Sequence, residues 1–459
     1  MVSVYMNPAA LAITLIALSL FVLGARTFGG VAFEAGAGIG FFALCILGLR
    51  SSAIRELLLL ITSIVLTGIF FWRRGDQQIF WEAVDIASFF AAFILLLTAL
   101  KIAAERSNSV LSVGRYLIRQ PASGRYIATA TGGHFLGVFL NFGAISLMAP
   151  LIQNAAKGAD GIVNTDLERR QISALLRGFA WILLWAPTTL TQTVLLTLFT
   201  DIFYGKVIGL GMATSLFMML VGLLFDRFEW RKMQADTVAA PKFPKAEFGR
   251  LSLVCGTLIL ATAALQISLG YTTALALMFV APSITLVWYM AQRPQGTKLK
   301  TQLSTFWPAL TDSAPSLARS AIALGLSGFI GRILAGVIPI ESITEVVNLT
   351  DVPGWVFLAA LPVLVTLGGQ VALSPIILVV FIGQVIHALP VLPADSTNIV
   401  FALSASWALS MFASPNATAT LLISASTKLA PTTLTWAWNL KYGATCYALL
   451  VALFILLEA

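Results

Sequence analysis

Two short stretches of the sequence place a proline and several hydroxyl or amide side chains inside long apolar runs. They are APTTLTQTVLL at residues 186–196 and ASPNATATLLI at residues 413–423. A proline removes a backbone donor and frees a carbonyl oxygen, which a membrane tolerates only where the backbone faces protein or a watery cavity. Neutral oxygens can bind a cation such as sodium, and the N-terminal end of a half-helix can bind an anion. We therefore interpret each stretch as a broken helix that forms part of a binding site.

One constant shift of 227 positions (413 minus 186) relates the two stretches. The identical pairs within them are Ala186 and Ala413, Thr191 and Thr418, Thr193 and Thr420, and Leu195 and Leu422. The same shift places Asp85 on Asp312, far outside the polar stretches. This regularity predicts an internal repeat whose two copies run in opposite directions through a membrane.

The composition is that of an all-α polytopic membrane protein. Of the 459 residues, 58% are hydrophobic and only 10% are charged, and the mean hydropathy is +0.91. Only helices satisfy their own backbone while crossing about 30 Å of hydrocarbon. The eleven predicted transmembrane helices are residues 7–25, 30–49, 57–72, 81–101, 171–200, 204–226, 251–269, 272–292, 316–338, 399–426 and 434–457.

The basic residues predict the orientation of these helices. With the amino terminus inside, twenty Lys and Arg residues fall on the inner side, and only Arg26, Arg73, Arg74 and Lys206 fall on the outer side. Cytoplasmic loops carry such an excess of basic residues, which also accounts for the net charge of +8 without a nucleic-acid partner. We expect a multi-pass protein embedded in the lipid bilayer of a bacterial cytoplasmic (inner) membrane.

Two further apolar segments begin and end on the same side of the membrane in this topology. Residues 126–156 lie between two inner loops, and residues 355–388 lie between two outer loops. Each segment is therefore predicted to form a re-entrant hairpin. The central residues that favour a chain reversal are Asn141, Gly143, Gly368, Gly369 and Gln370.

The predicted organisation is a pair of inverted repeats joined by a cytoplasmic linker. The parts are the first repeat (1–227, with hairpin 126–156 and broken helix 171–200), the linker (228–250), and the second repeat (251–459, with hairpin 355–388 and broken helix 399–426).

The candidate substrate site combines the polar residues of the breaks with the centres of the hairpins. Its members are Asn141, Gly143, Thr188, Thr189, Thr191, Thr193, Gly368, Gly369, Gln370, Ser414, Asn416, Thr418, Thr420 and Arg332. Arg332 lies within an apolar run and is interpreted as a counter-ion for an anionic substrate, as a salt-bridge partner, or as a side chain that snorkels outward. The candidate sodium ligands are Asn141, Thr191, Asn416 and Thr418. No other cofactor is predicted.

The stretches SPNATAT and FLNFGAISLMAPLI, with scaffold helices, a hairpin and a broken helix in each half, resemble the ion transporter superfamily. This superfamily includes divalent anion/sodium symporters and arsenite permeases, and the architectural resemblance covers nearly the whole chain. The Ser-Asn-Thr motif of the symporter branch is represented by Asn141 alone in the first hairpin and by Gly-Gly-Gln in the second. The resemblance implies an elevator motion and a homodimer.

These features favour a secondary transporter of a small anion, an organic carboxylate, coupled to sodium. Alternatives are a carrier coupled to protons through His134, an efflux permease for an arsenite-like oxyanion, a channel, and an integral-membrane transferase. The outer loops are short and carry no cluster of acids or nucleophiles, so we expect no enzyme activity. The sequence contains no Walker A motif, which argues against pumping driven by ATP.

Cysteine labelling can measure the predicted orientation. In a background without the three native cysteines, Lys242→Cys in the linker should react with an impermeant maleimide only from the cytoplasmic side, because basic loops stay inside. As a control, Lys206→Cys should react only from outside. Labelling of the linker position in intact cells would contradict the orientation.

Overall fold

The computed structural model describes residues 7–49, 52, 54–157, 162–199, 202–230, 241–293, 296, 298–337, 352–370, 375–387, 389 and 391–459. In chain order the helices are α1 (Pro8–Phe28), α2 (Val31–Gly48), α3 (Ile54–Trp72), α4 (Gln77–Glu105), α5 (Asn108–Ile118), α6 (Ala122–Leu140), α7 (Phe142–Ala155), α8 (Thr165–Ala180), α9 (Leu190–Leu198), α10 (Tyr204–Glu229), α11 (Lys245–Leu269), α12 (Thr273–Ala291), α13 (Leu299–Ser304), α14 (Phe306–Val337), α15 (Gly354–Gln370), α16 (Pro375–His387), α17 (Ser396–Ala413), α18 (Thr418–Thr427) and α19 (Leu440–Leu457). A 3-10 turn covers Trp181–Leu184, and a π-helical turn covers Thr433–Ala437.

Nine stretches of the described chain are long and apolar enough to cross a membrane. They are α1, α2, the first part of α4, α10, α11, α12, α13 with α14, α17 with α18, and α19. Because hydrocarbon offers the backbone no partner, these apolar sequences form helices that bond internally. The prediction of an all-helical polytopic membrane protein is confirmed.

The two other predicted spans are residues 57–72 and 171–200. The first lies in one helix that is slightly short, and the second is interrupted. The apolar part of α3 is Glu56–Trp72, which is slightly shorter than the nine full-length stretches. Residues 171–200 are divided among α8, the 3-10 turn and α9, so that no single helix covers them.

The helices form two compact units, and we call the first of them unit 1. It is formed within residues 1–103, 256–348 and 380–390. In unit 1, α14 packs against α1 and α3, and α1 packs against α2. Gly325 of α14 has no room for a Cβ atom because the carbonyl oxygen of Ala87 lies against it. Small residues at such contacts let membrane helices approach closely.

Unit 2 is formed within residues 104–255, 349–379 and 391–459 and contains both broken helices. Here α6 packs on α8, α15 packs on α17, and α18 packs on α7. The last contact includes a hydrogen bond of 2.8 Å from Gln153 Nε2 to the carbonyl oxygen of Thr427. Helices α7 and α18, which come from the two halves of the sequence, are therefore joined within unit 2.

Each unit draws helices from both predicted repeats. The packing thus differs from the sequence division into 1–227 and 251–459, which stays a prediction about sequence repetition. Between the repeats, α10 ends at Glu229 and α11 begins at Lys245. Most of the predicted linker, residues 231–240, lies outside the described residues.

A buried ion pair joins α8 to α10 in unit 2. The guanidinium group of Arg170 donates from Nε to Asp226 Oδ1 and from Nη2 to Asp226 Oδ2, both at 2.7 Å. The two side chains are only 9% and 4% exposed. Next to them, Arg169 Nη2 lies 3.8 Å from Glu229 Oε1 in a pair that is about one-third exposed (35% and 29%).

Asp226→Asn should lower the free energy of unfolding by about 3–5 kcal/mol, because Arg170 is then buried without a countercharge. Glu229→Gln removes the neighbouring partly exposed pair and should cost less than about 1 kcal/mol. Thermal or denaturant unfolding of the purified protein in detergent measures both changes. Equal losses from the two substitutions would contradict the assigned difference between the pairs.

Candidate functional site

The first broken helix is interrupted between the 3-10 turn, which ends at Leu184, and α9, which begins at Leu190. Pro187 has no N–H to donate to the carbonyl oxygen four residues earlier, that of Leu183. The side chain of Gln192 supplies the missing donor, since its Nε2 lies 2.8 Å from the Leu183 carbonyl oxygen. The carbonyl group freed by the proline is therefore paired within the chain.

The second broken helix repeats this arrangement. Helix α17 ends at Ala413, α18 begins at Thr418, and Pro415 lies between them. The carbonyl group that Pro415 leaves unpaired is that of Met411, and it accepts a bond of 2.9 Å from Thr420 Oγ1. In both breaks the donor lies nine residues after the carbonyl group. We call these two bonds the carbonyl bridges.

The carbonyl bridges change the interpretation of the predicted sodium site. Both oxygens that the prolines free already accept a hydrogen bond from a side chain. A bound ion would therefore have to share these two oxygens with their donors or draw its ligands from other oxygens.

The first predicted hairpin is a pair of helices that meet at one residue. Helix α7 begins at Phe142, and Asn141 before it has a φ of 50°. This left-handed backbone makes the turn, whereas Gly143, which was expected to help, lies buried in the first turn of α7. The hydroxyl of Thr188 donates to the carbonyl oxygen of Val138. The end of α6 is thereby fastened to the first break.

The end of α15 is fastened to the second break. The carbonyl oxygen of Gly369 accepts bonds from Ser414 Oγ and from Asn416 Nδ2, each at 2.8 Å. Gln370 Nε2 donates to the carbonyl oxygen of Ala413 at 3.1 Å. A Cβ atom on Gly369 would lie 2.6 Å from Ser414 Oγ, so this close approach requires glycine.

The reversal predicted at Gly368, Gly369 and Gln370 does not occur at these residues, because all three belong to the last turn of α15. The segment 371–374, which connects α15 to α16, lies outside the described residues. Gly368 has Leu378 of α16 against it, with no room for a Cβ atom.

Three buried oxygen atoms beside the first break have no hydrogen-bond partner in the described part of the chain. They are Asn141 Oδ1, Thr191 Oγ1 and Gln192 Oε1. Asn141 and Thr191 each lie three residues along the chain from the bond between Thr188 and Val138. Buried polar atoms without partners are rare and call for a bound ion, ligand or water.

The two half-helices differ at their N-termini. Thr189 caps α9, since its side chain accepts from the backbone N–H of Gln192. Helix α18 follows Ala417, which makes no side-chain cap. The neighbouring side chains of Asn416 and Thr418 are partly exposed. Uncapped N–H groups carry partial positive charge, so this end of α18 favours an anion.

Arg332 and the other predicted site residues belong to different compact units. Arg332 lies in unit 1, whereas all the others lie in unit 2. Its Nη2 lies 2.6 Å from Glu82 Oε2 and its Nε lies 3.1 Å from the same oxygen. Of the three interpretations from the sequence, the structure shows the salt-bridge partner.

His134 of α6 has both ring nitrogens engaged next to the first break. Its Nδ1 lies 3.0 Å from the carbonyl oxygen of Gly178, and its Nε2 lies 3.2 Å from Trp185 Nε1. A carbonyl oxygen can only accept and an indole nitrogen can only donate. The ring is therefore neutral, with its proton on Nδ1.

Sequence reasoning did not predict the roles of Gln192 and Arg177. The signal for Gln192 is its position five residues after a proline (192 minus 187), which Thr420 shares (420 minus 415). Arg177 is 2% exposed, donates from Nε to Asn439 Oδ1 at 2.8 Å and lies 4.6 Å from the centre of the Tyr442 ring. Its only signal in the sequence is a basic residue within an apolar run.

Two solved transporter structures are similar to this chain. One is the YdaH transporter of Alcanivorax borkumensis, with a TM-score of 0.58 and 15% identity over 88% of this chain and 98% of that one. The other is MtrF of Neisseria gonorrhoeae, which illuminates a class of antimetabolite efflux pumps, with a TM-score of 0.57 and 13% identity over 88% and 94% of the chains. The chain has the fold of a transporter.

No protein-family model matches the sequence, and no curated protein matches it. At 13–15% identity the likeness extends to the fold alone. It does not point to the ion transporter superfamily in particular, and membership of that superfamily stays a prediction.

Thr420→Val should lower the free energy of unfolding by about 1–3 kcal/mol, because it leaves the buried carbonyl group of Met411 without a donor. Thr193→Val is the matched control. Thr193 Oγ1 donates at 3.2 Å to the carbonyl oxygen of Thr189, which also accepts from the Thr193 backbone. Its loss should change stability by less than about 0.5 kcal/mol. Thermal unfolding compares the two, and equal losses would argue against the carbonyl bridge.

Proposed function

We propose that the protein is a secondary active transporter of a small anion, an organic carboxylate, and that sodium drives the transport. The observation that carries the proposal is the group of buried oxygens without donors at the first break. The uncapped N-terminus of α18 at the second break and the likeness to the YdaH and MtrF folds support it.

In this proposal Asn141, Thr191 and Gln192 supply the sodium site. The two amide oxygens can only accept hydrogen bonds. Burying each of them without a donor costs about 1–3 kcal/mol, unless a cation or a water molecule binds it. None of the three side chains titrates, which suits sodium and not a proton. Asn141 and Thr191 come from the set predicted by sequence, and Gln192 is added to it.

The substrate carboxylate binds at the N-terminus of α18. The first N–H groups of a helix carry roughly half an elementary charge and point towards a ligand. The hydroxyl of Thr418 lies at this end and adds a donor. Ser414 and Asn416 hold the second break to Gly369. Sodium ligation by Asn416 and Thr418 also stays a prediction.

Transport proceeds by an elevator motion within a homodimer in a bacterial cytoplasmic membrane. Unit 2 moves as one body, and unit 1 makes the dimer contact. Support comes from the bonds between the hairpin helices and the breaks, which all lie within unit 2. A motion that separated these elements would leave polar groups unpaired in hydrocarbon.

Efflux is the second candidate for the direction of transport, since MtrF belongs to a class described as antimetabolite efflux pumps. Coupling to protons is less favoured. Protonation of His134 at Nε2 would break its bond to Trp185.

The proposal predicts that a carboxylate stabilises the protein only when sodium is present. Purified protein is heated with small carboxylates, with and without sodium, and a ligand at 100 times its Kd should add about 2.7 kcal/mol. Thr191→Val should need at least about tenfold more sodium because one ligand oxygen is lost. Thr197→Val should behave as the wild type, since Thr197 Oγ1 only donates to the Thr193 carbonyl in its own helix.

Uptake into proteoliposomes under separate sodium and pH gradients completes this test. A sodium gradient should drive carboxylate uptake by the wild type and by Thr197→Val. Uptake driven by a pH gradient without sodium, and abolished by His134→Ala but not by Thr191→Val, would transfer coupling to the histidine. Stabilisation by an organic cation, with no anion competing, would overturn the anionic substrate.

A further inference from the structure

A small cleft lies between α5 and α7 in unit 2, and we call it the basic cleft. Its volume is about 150 Å³. The lining residues are Arg115, Ile118, Arg119, Leu151, Asn154 and Ala155. Both helices contribute polar and aliphatic residues, so the lining combines guanidinium and amide groups with aliphatic side chains.

Positive charge converges on the basic cleft without a compensating acid among its lining residues. Arg115 and Arg119 are four residues apart and therefore share one face of α5. Both are exposed, and neither makes an ion pair within the described part of the chain. Lys157, just beyond α7, adds a third cation, and its Nζ donates to Asn154 Oδ1 at 3.2 Å. The C-terminal ends of α5 and α7 offset these positive charges only in part, because each helix end carries about half an elementary negative charge.

The opposite face of α5 packs into the protein. Val110 and Val113 are buried, whereas Arg115 is exposed. The exposed basic face of α5 and the basic loops around it predict that this face lies at a membrane interface. The charge bias of the sequence predicts that this interface is the inner one, where anionic lipids create a negative surface potential.

We propose that the basic cleft binds the phosphate headgroup of an anionic phospholipid. The guanidinium groups of Arg115 and Arg119 present paired N–H donors that match phosphate oxygens. Leu151 and Ala155, which are not fully buried, contact the first part of an acyl chain. A soluble phosphate compound would use the donors but gain nothing from the aliphatic side chains, which favours the lipid. This site is separate from the two breaks and does not depend on the transported substrate.

Native mass spectrometry of the purified full-length protein with added phosphatidylglycerol tests the proposal. The wild type should retain phosphatidylglycerol at concentrations where phosphatidylcholine is lost. Arg115→Gln combined with Arg119→Gln should weaken retention roughly 30-fold, because each basic residue at an anionic surface contributes about fivefold. Lys298→Gln combined with Lys300→Gln removes two exposed charges from the same predicted side and should weaken it less than about threefold.

The outcomes separate the possible ligands. Unchanged retention in the arginine variant, or equal loss in the two double variants, would overturn the site. Displacement of the lipid by an equal concentration of inorganic phosphate or glycerol 1-phosphate would assign the cleft to a soluble compound and overturn the lipid. Arg115→Lys combined with Arg119→Lys keeps the charge and should retain lipid at an intermediate level. Retention by the wild type should fall as ionic strength rises, which tests the ionic contact without a variant.

Discussion

A carbonyl group that a proline deprives of its donor has to find another one when it lies in hydrocarbon. Unit 2 meets this requirement twice, through Gln192 and Thr420, and the same geometry fixes where each half-helix begins. Once the half-helices are placed, the ends of α6 and α15 can bond to the breaks through Thr188 and Gly369. The interior of unit 2 is therefore organised around two missing N–H groups.

The two breaks share this backbone arrangement but differ in what they leave unpaired. At the second break, Ser414 and Asn416 are used to hold the end of α15, and the helix that follows lacks a side-chain cap. At the first break, Thr189 caps the helix, and the unpaired atoms are two amide oxygens and one hydroxyl oxygen. One break thus offers uncapped N–H donors and the other offers side-chain oxygens without partners, so the two breaks differ in polarity.

Local physics explains why much of this could be predicted from the sequence. The thickness of a bilayer sets the length of apolar runs, and a proline marks its own break, so composition and the 227-position shift located the helices and both breaks. The turn at Asn141 was also foreseen, although Gly143 was wrongly included in it. Long-range partners were beyond such reasoning, because Ser404, which accepts from Gln192, is 212 residues away and is placed only by packing. Long-range packing also decides that each compact unit contains helices from both predicted repeats, which local sequence patterns do not reveal.

Several polar bonds inside unit 2 join early residues to late ones, including Gln153 with Thr427, Arg177 with Asn439 and Gln192 with Ser404. A chain grows from its amino terminus, so these early side chains enter the membrane while their partners have yet to leave the ribosome. A buried arginine and two amides must then remain in contact with water, headgroups or the insertion machinery until the last helices arrive. A chain cut short before Ser404 would therefore leave all three of these early polar side chains without their late partners.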